Sequence, residues 1–133
     1  MTTVFLDTVG LLALWDASDQ WHAAAEPAFA RLAQTQARLL TTSFVLLECG
    51  NAAARRPYRQ AVTRLKERLE TAGLLIIPTT EDWNQAWAAY SRAEADSAGI
   101  IDQVSFAVMR RLGLSHAFTN DAHFRAAGFG VLF

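Results

Sequence analysis

The sequence has a single cysteine, Cys49, among 133 residues. One thiol cannot form an intrachain disulfide, and no second cysteine is present for a zinc cluster. Apolar runs long enough to cross a membrane are also missing, because Asp, Glu, Arg or Gln interrupts them every few residues. The amino terminus carries no basic region followed by an apolar stretch, as a secretory signal requires. From these absences we expect a cytoplasmic protein without a membrane segment.

Neither sign of charge dominates, since 12 Lys and Arg stand against 13 Asp and Glu, a formal net charge of −1. This balance argues against a strongly basic nucleic-acid coat and leaves room for a local basic groove. Hydrophobic residues make up 52% of the chain and charged residues 19%, which is typical of a globular domain and excludes a disordered or fibrous chain. With three scattered prolines and no repeat or low-complexity linker, residues 1–133 are expected to form one domain.

Alternating β-type and helical patterns run along the whole sequence. The resulting order, β-α-α-β-α-α-β-α-α-β-α-β, predicts an α/β fold with a doubly wound, mainly parallel sheet between helical layers. The continuous apolar run at 74–77 ends at Pro78 and predicts a strand buried on both faces. The predicted strands span residues 3–6, 39–41, 74–77, 116–119 and 129–133.

Acidic side chains stand near the ends of the predicted strands. Asp7 directly follows the first strand, and Asp121 lies just beyond the fourth. Because the carboxyl ends of parallel strands meet at one edge of a sheet, we expect both carboxylates in the same crevice. Asp102 opens the helix that leads back to the fourth strand, and Glu48 lies about one and a half turns into the helix after the second. The four acids are therefore predicted to converge.

Converging carboxylates repel one another and require a positive counter-charge. A hard divalent cation, Mg²⁺ or Mn²⁺, prefers an all-oxygen site. Such an ion lowers the pKa of bound water and neutralises the charge that develops on a phosphoryl group during in-line attack. The pattern therefore predicts phosphodiester hydrolysis.

Each acid taken singly also has a structural explanation. Asp7, Asp102 and Asp121 occupy positions where helix N-caps are common. Glu48 resists this explanation, because it lies within a helix among apolar neighbours, where an unpaired carboxylate is costly. The joint pattern favours a site. Asp96, six residues before Asp102, is interpreted as a solvated loop residue in preference to a fifth acid of the site.

Four segments together resemble PIN domains of the kind found in VapC toxins of bacterial and archaeal toxin–antitoxin pairs. They are residues 4–8 (VFLDT), 42–43 (TS) with Glu48, 99–106 (GIIDQVSF) and 118–124 (FTNDAHF), and the resemblance extends over essentially the whole chain. It implies a PIN-like fold and an endoribonuclease, the toxin of a type II pair, whose cofactor is Mg²⁺ or Mn²⁺. The resemblance assigns the metal-binding and catalytic roles to Asp7, Glu48, Asp102 and Asp121.

The resemblance also implies supporting residues and partners. Thr119 is expected to steady Asp121 by hydrogen bonding, and His123 is interpreted as a structural element of the turn without a catalytic role. A cognate antitoxin and a homodimer are the implied protein partners. The apolar surface expected to pack in that homodimer comes from the first two helices, and its members are Leu11, Leu12, Leu14, Trp15 and Trp21.

A basic segment follows the helix that carries Glu48. Between residues 55 and 68 there are six Lys and Arg and one acidic residue, a local balance of +5. Arg55, Arg56 and Arg59 are predicted to contact the RNA backbone, with a solvated helix face as the alternative.

Other doubly wound proteins with an acid after the first strand lack support here. A haloacid-dehalogenase-type phosphatase needs a second Asp two residues after the first, where Val9 stands, and a receiver domain needs a late lysine, whereas Lys66 is the only one. No glycine-rich phosphate loop follows a strand. Two alternatives stay open: a non-catalytic PIN-like module that binds RNA or protein, and a stand-alone RNA-processing nuclease without an antitoxin. The sequence does not specify which RNA is cleaved.

Overall fold

The computed structural model describes residues 2–94 and 97–133, so Asp96 lies outside the described residues. Over the described residues, strands and helices follow the predicted order. No helix in this part of the chain is long and apolar enough to cross a membrane. The elements are β1 Thr3–Leu6, α1 Thr8–Trp15, α2 His22–Gln34, β2 Arg38–Thr42, α3 Ser43–Ala53, α4 Arg59–Ala72, β3 Leu75–Ile76, α5 Thr80–Arg92, α6 Ile100–Leu112, β4 His116–Phe118, α7 Ala122–Ala126 and β5 Gly130–Val131.

The five strands form one sheet in the order β3-β2-β1-β4-β5, and every neighbouring pair is parallel. This confirms the predicted α/β class. The chain builds the sheet outward from β1 to β2 and β3, and then returns to add β4 on the other side of β1. The switch point therefore lies between β1 and β4, where doubly wound folds have their crevice.

The two strands that flank the switch point carry large, fully buried side chains. Phe5 and Leu6 of β1 and Phe118 of β4 are fully buried, and the Phe118 ring packs edge-on against Phe29 of α2 with centroids 5.3 Å apart. Large apolar side chains on adjacent strands, covered by a helix, remove several hundred Å² from water and hold these strands in register.

Glycine at position 10 permits close packing of α1 on β4. A Cβ at Gly10 would stand 2.0 Å from the carbonyl oxygen of Phe118, a distance that no other residue type could accommodate without movement of the backbone. The approach brings the beginning of α1, with Asp7 and Thr8, to the carboxyl end of β4. One glycine thus helps to position the site.

The prediction for residues 74–77 is wrong in one respect. A strand forms there, but β3 is only Leu75–Ile76, lies at the edge of the sheet and is half-buried, and Ile77 is 68% exposed. A short apolar run looks the same in sequence whether one neighbouring strand or two will cover it.

The apolar surface predicted on the first two helices is also partly wrong. Leu11 belongs to the core, and Leu14 and Trp15 pack against the core, whereas Trp21 is 47% exposed. Large exposed apolar side chains also occur on α3 and α5. In α5, three rings form a row of edge-on contacts with centroids 5.8 and 5.4 Å apart: Trp83, Trp87 and Tyr90.

Candidate active site and metal centre

Asp7 leaves β1 at the switch point and stands at the N-cap position of α1. Its side chain makes no capping hydrogen bond and is almost fully buried. The carboxylate Oδ2 accepts a hydrogen bond of 2.8 Å from the hydroxyl of Thr119, which follows β4. The Asp7 carboxylate therefore binds the residue that follows β4 and does not cap its own helix.

Thr119 connects the ends of the two central strands. Its hydroxyl donates to Asp7 and accepts a bond of 3.1 Å from the backbone N–H of Asp121. The expected support of Asp121 thus acts on its backbone, while the bond to Asp7 is an addition that sequence reasoning missed. The strand register contains the signal, because Leu6 is level with Phe118 and the next residues along are Asp7 and Thr119.

Glu48 approaches the same edge from α3. Its Oε1 accepts a short hydrogen bond from the hydroxyl of Thr8 in the first turn of α1. The Thr8 side chain is buried, and its contact with a residue forty positions away explains how a half-buried carboxylate on α3 is held. No contact is assigned to Thr8 from the sequence, so this hydrogen bond was not foreseen.

Asp102, Asp121 and His123 form a compact group. One ligand atom from each lies within 4.8 Å of the other two, a spacing at which a single cation could be bound. Asp102 is in the first turn of α6, whose N-cap is Gly99, so its predicted capping alternative is wrong. Asp121 does cap α7, accepting from the backbone N–H of His123, and its Oδ1 also lies 2.8 Å from the His123 Nδ1. His123 therefore contacts Asp121 and lies within the same group as Asp102.

Burial and mutual repulsion raise the pKa of two of the acids. Burial, followed by the charge of Asp102, raises the pKa of Asp7 to about 7, although the Thr119 bond opposes the shift. Burial, followed by the charges of Asp121 and Glu48, raises the pKa of Asp102 to about 6. The structure thus brings all four predicted acids close enough to act on one another.

The donor set fits a hard divalent cation. Four carboxylates supply oxygen ligands of the kind that Mg²⁺ and Mn²⁺ prefer. Burial first, and then mutual repulsion, raises the pKa values of Asp7 and Asp102, and no arginine or lysine of the described residues is among the causes that oppose either shift. Hydrogen bonds from Thr8, Thr119 and His123 orient three of the acids, as outer partners of metal ligands commonly do.

The three predicted RNA-binding arginines are exposed around the connection between α3 and α4. Arg56 forms an ion pair with Asp16, with Nη2 and Oδ2 2.8 Å apart, and Arg59 donates to the carbonyl of Ala54. Arg55 lies in the turn after α3, about two turns beyond Glu48. Their contact with RNA stays a prediction.

Comparison with known proteins gives consistent matches. The PIN domain family model matches residues 4–130. The 23S rRNA-specific endonuclease VapC20 of Mycobacterium tuberculosis is 33% identical over 127 residues, covering 95% of each chain. The crystal structure of M. tuberculosis VapC20, described as a Sarcin-Ricin loop cleaving toxin, matches with a TM-score of 0.77 at 27% identity, over 95% of both chains. DNA-bound VapBC from Salmonella typhimurium shares the fold, with a TM-score of 0.64 at 17% identity, over 98% of this chain and 97% of that one.

Proposed function

Because the chain belongs to the PIN domain family, we propose that it is a metal-dependent endoribonuclease that hydrolyses RNA phosphodiester bonds. The observation that carries the proposal is the meeting of Asp7, Glu48, Asp102 and Asp121 at the switch point of the sheet. RNA as the substrate is supported by the relative that is 33% identical, a 23S rRNA-specific endonuclease.

The four acids would hold Mg²⁺ or Mn²⁺, which when bound supplies an activated water and a counter-charge for phosphoryl oxygens. The protein's own groups set the geometry. Thr119 donates a hydrogen bond to one oxygen of Asp7, and Thr8 donates one to an oxygen of Glu48. Each bond fixes the orientation of its carboxylate and therefore the direction of the second oxygen. His123 does the same for Asp121. These bonds reduce the reorganisation needed when substrate arrives.

As partners we propose a cognate antitoxin and a second copy of the chain. The description of M. tuberculosis VapC20 as a toxin supports the first. For the homodimer, α3 and α5 offer more exposed large apolar side chains than the first two helices, where Leu11 is buried, so α3 and α5 are the better choice of interface.

The test is cleavage of RNA by the purified chain in Mg²⁺, in Mn²⁺ and in EDTA. One substrate carries a sarcin–ricin loop and a second is an unrelated stem–loop. We expect cleavage only with a divalent cation, and loss of at least a hundredfold in Asp7→Asn and Asp102→Asn. Glu67→Gln, on the exposed face of α4, is the matched control.

Two outcomes contradict the proposal. Activity that persists in both substituted proteins would remove the acid cluster as the site. RNA binding without cleavage by the unsubstituted chain, under every metal condition, would favour the non-catalytic module. Cleavage without any copurifying or neighbouring antitoxin would instead favour the stand-alone nuclease.

A further inference from the structure

Two cavities of about 300 and 250 Å³ share lining residues and together form a trough along α5 and α6. Both are lined by Ala89, Gln103 and Arg110. We name this feature the α5–α6 trough, and its functional side chains are Arg92, Gln103 and Arg110. Alanines of α5, α6 and α7 form much of the lining, so space remains above them.

The α5–α6 trough adjoins the acid cluster through two of its lining residues, His123 and Gln103. His123 lines the larger half of the trough as well as contacting Asp121. Gln103 lines both halves and directly follows Asp102 in the first turns of α6. An RNA strand bound at the acids would therefore meet the trough at His123 and Gln103.

The packing of α5 on α6 brings Arg92 to the same end of the helix pair as Asp102. Asp82, in the first turn of α5, accepts three hydrogen bonds from Arg111 in the last turn of α6, so the two helices run antiparallel. Arg92, in the last turn of α5, consequently returns to the level of the first turn of α6, which carries Asp102. Arg92 lines the smaller half of the trough.

The charge of the trough is positive. Among the described residues that line it, two are arginines and none is acidic. Arg110 is held in place, because its guanidinium lies 5.9 Å and 5.4 Å from the ring centroids of Phe106 and Phe129 and donates one hydrogen bond to a carbonyl. Arg92 is exposed and forms no ion pair within residues 2–94 and 97–133.

We infer that the α5–α6 trough binds the sugar-phosphate backbone of the RNA strand next to the cleaved bond, with Arg92 and Arg110 contacting phosphates and Gln103 hydrogen-bonding to the strand. The inference rests on the proposed function. Four carboxylates repel a polyanion, so cations beside them must offset that repulsion as the strand approaches. The trough cations suit this role better than Arg56, whose charge is partly neutralised by Asp16.

The test measures binding of a fluorescent single-stranded RNA by anisotropy, in EDTA to prevent cleavage, over a series of salt concentrations. The slope of log K against log salt is negative, and each lost phosphate contact is expected to reduce its magnitude by about 0.7. Arg92→Gln should bind several-fold more weakly with that smaller slope, and Arg92→Lys should restore the slope because it keeps the charge. Arg38→Gln is the matched control, because Arg38 lies at the amino end of β2, whereas the acids lie near the carboxyl ends of the strands.

Arg110 requires a second readout, because it also packs on two rings. Arg110→Gln should lower the salt slope as well, and its melting temperature must be compared with that of Arg110→Lys to separate lost packing from lost charge. In cleavage assays with Mg²⁺, we expect Arg92→Gln to raise KM with little change in kcat, the pattern of lost uniform binding.

The outcomes separate this inference from the proposed function. An unchanged salt slope in Arg92→Gln, with normal cleavage by the unsubstituted chain, would overturn the inference and leave the nuclease proposal intact. A slope that changes only in Arg55→Gln or Arg59→Gln would assign the RNA path to the α3–α4 side. Failure of the unsubstituted chain to bind or cleave RNA would overturn both.

Discussion

Replacement of Asp7 by Asn should stabilise the metal-free protein, although it destroys the proposed site. The Asp7 carboxyl is 1% exposed, and burial together with the charges of Asp102 and Asp121 raises its pKa from 3.8 to about 7. A folded-state pKa above the unfolded value means that the folded protein retains the proton in a pH range where the unfolded chain has lost it. The stabilising contribution is complete below about pH 4 and is lost as the pH rises through 7.

The magnitude follows from the two pKa values. Moving the pKa from 3.8 to about 7 corresponds to roughly 4 kcal/mol at alkaline pH, since each pKa unit is worth about 1.4 kcal/mol. Between pH 5 and pH 8 the wild-type protein should lose about 2 to 3 kcal/mol of that amount. Asparagine has no such titration and still offers an oxygen to the Thr119 hydroxyl. The stability advantage of Asp7→Asn should therefore grow by about 2 to 3 kcal/mol over this range.

The assay is urea unfolding in EDTA at pH 5, 6, 7 and 8, followed by tryptophan fluorescence, with Asp19→Asn in the turn after α1 as the control. Mg²⁺ at pH 8 should stabilise the wild-type protein and have little effect on Asp7→Asn, because a ligand stabilises only the state that binds it. A stability difference that does not depend on pH, or an Asp7→Asn protein less stable than wild type at pH 8, would refute the account of the buried carboxylate.

Three further substitutions test the framework around the site. Gly10→Ala should lower stability by roughly 1 to 3 kcal/mol and reduce RNA cleavage, whereas Gly50→Ala, where a Cβ meets nothing within 4 Å, should be neutral or stabilising in thermal unfolding. Thr119→Val removes a hydrogen bond that lowers the pKa of Asp7, so the acid limb of the pH–rate profile should move to higher pH. Arg111→Met removes the partner of the buried carboxylate of Asp82 on α5 and should lower the free energy of unfolding in urea by about 1.5 to 3 kcal/mol. An unchanged free energy of unfolding would show that the pair does not stabilise the fold.

Much of the fold could be predicted because alternation of strand and helix patterns leaves few topologies. The positions of Asp7 and Asp121 followed from the rule that parallel strands end at one edge, and in the structure the charges of Asp102 and Asp121 both act on Asp7. The edge position of β3 could not be predicted, because it depends on whether a second strand pairs with β3 and not on local composition.

The contacts that orient the acids were beyond sequence reasoning for a different reason. The bonds from Thr8 to Glu48 and from Thr119 to Asp7 join residues 40 and 112 positions apart. They exist because α1 packs closely on β4 at Gly10 and because the register of β1 and β4 sets two side chains level. The burial of Leu11 has the same origin, since a helix that approaches the sheet this closely covers a larger part of its apolar surface.

Buried Asp82 and the acids of the candidate site differ in their charged partners, and this contrast is relevant to the cofactor. Arg111 pairs with buried Asp82 and holds the pKa of that carboxyl below its usual value. At the candidate site, no arginine or lysine of the described chain is among the causes that act on Asp7 or Asp102, and the opposing contributions come from hydrogen bonds and His123. A chain that can neutralise a buried carboxylate with arginine leaves this cluster without one. This contrast is what we expect of a site whose positive charge is supplied by a bound divalent cation, as in the proposed function.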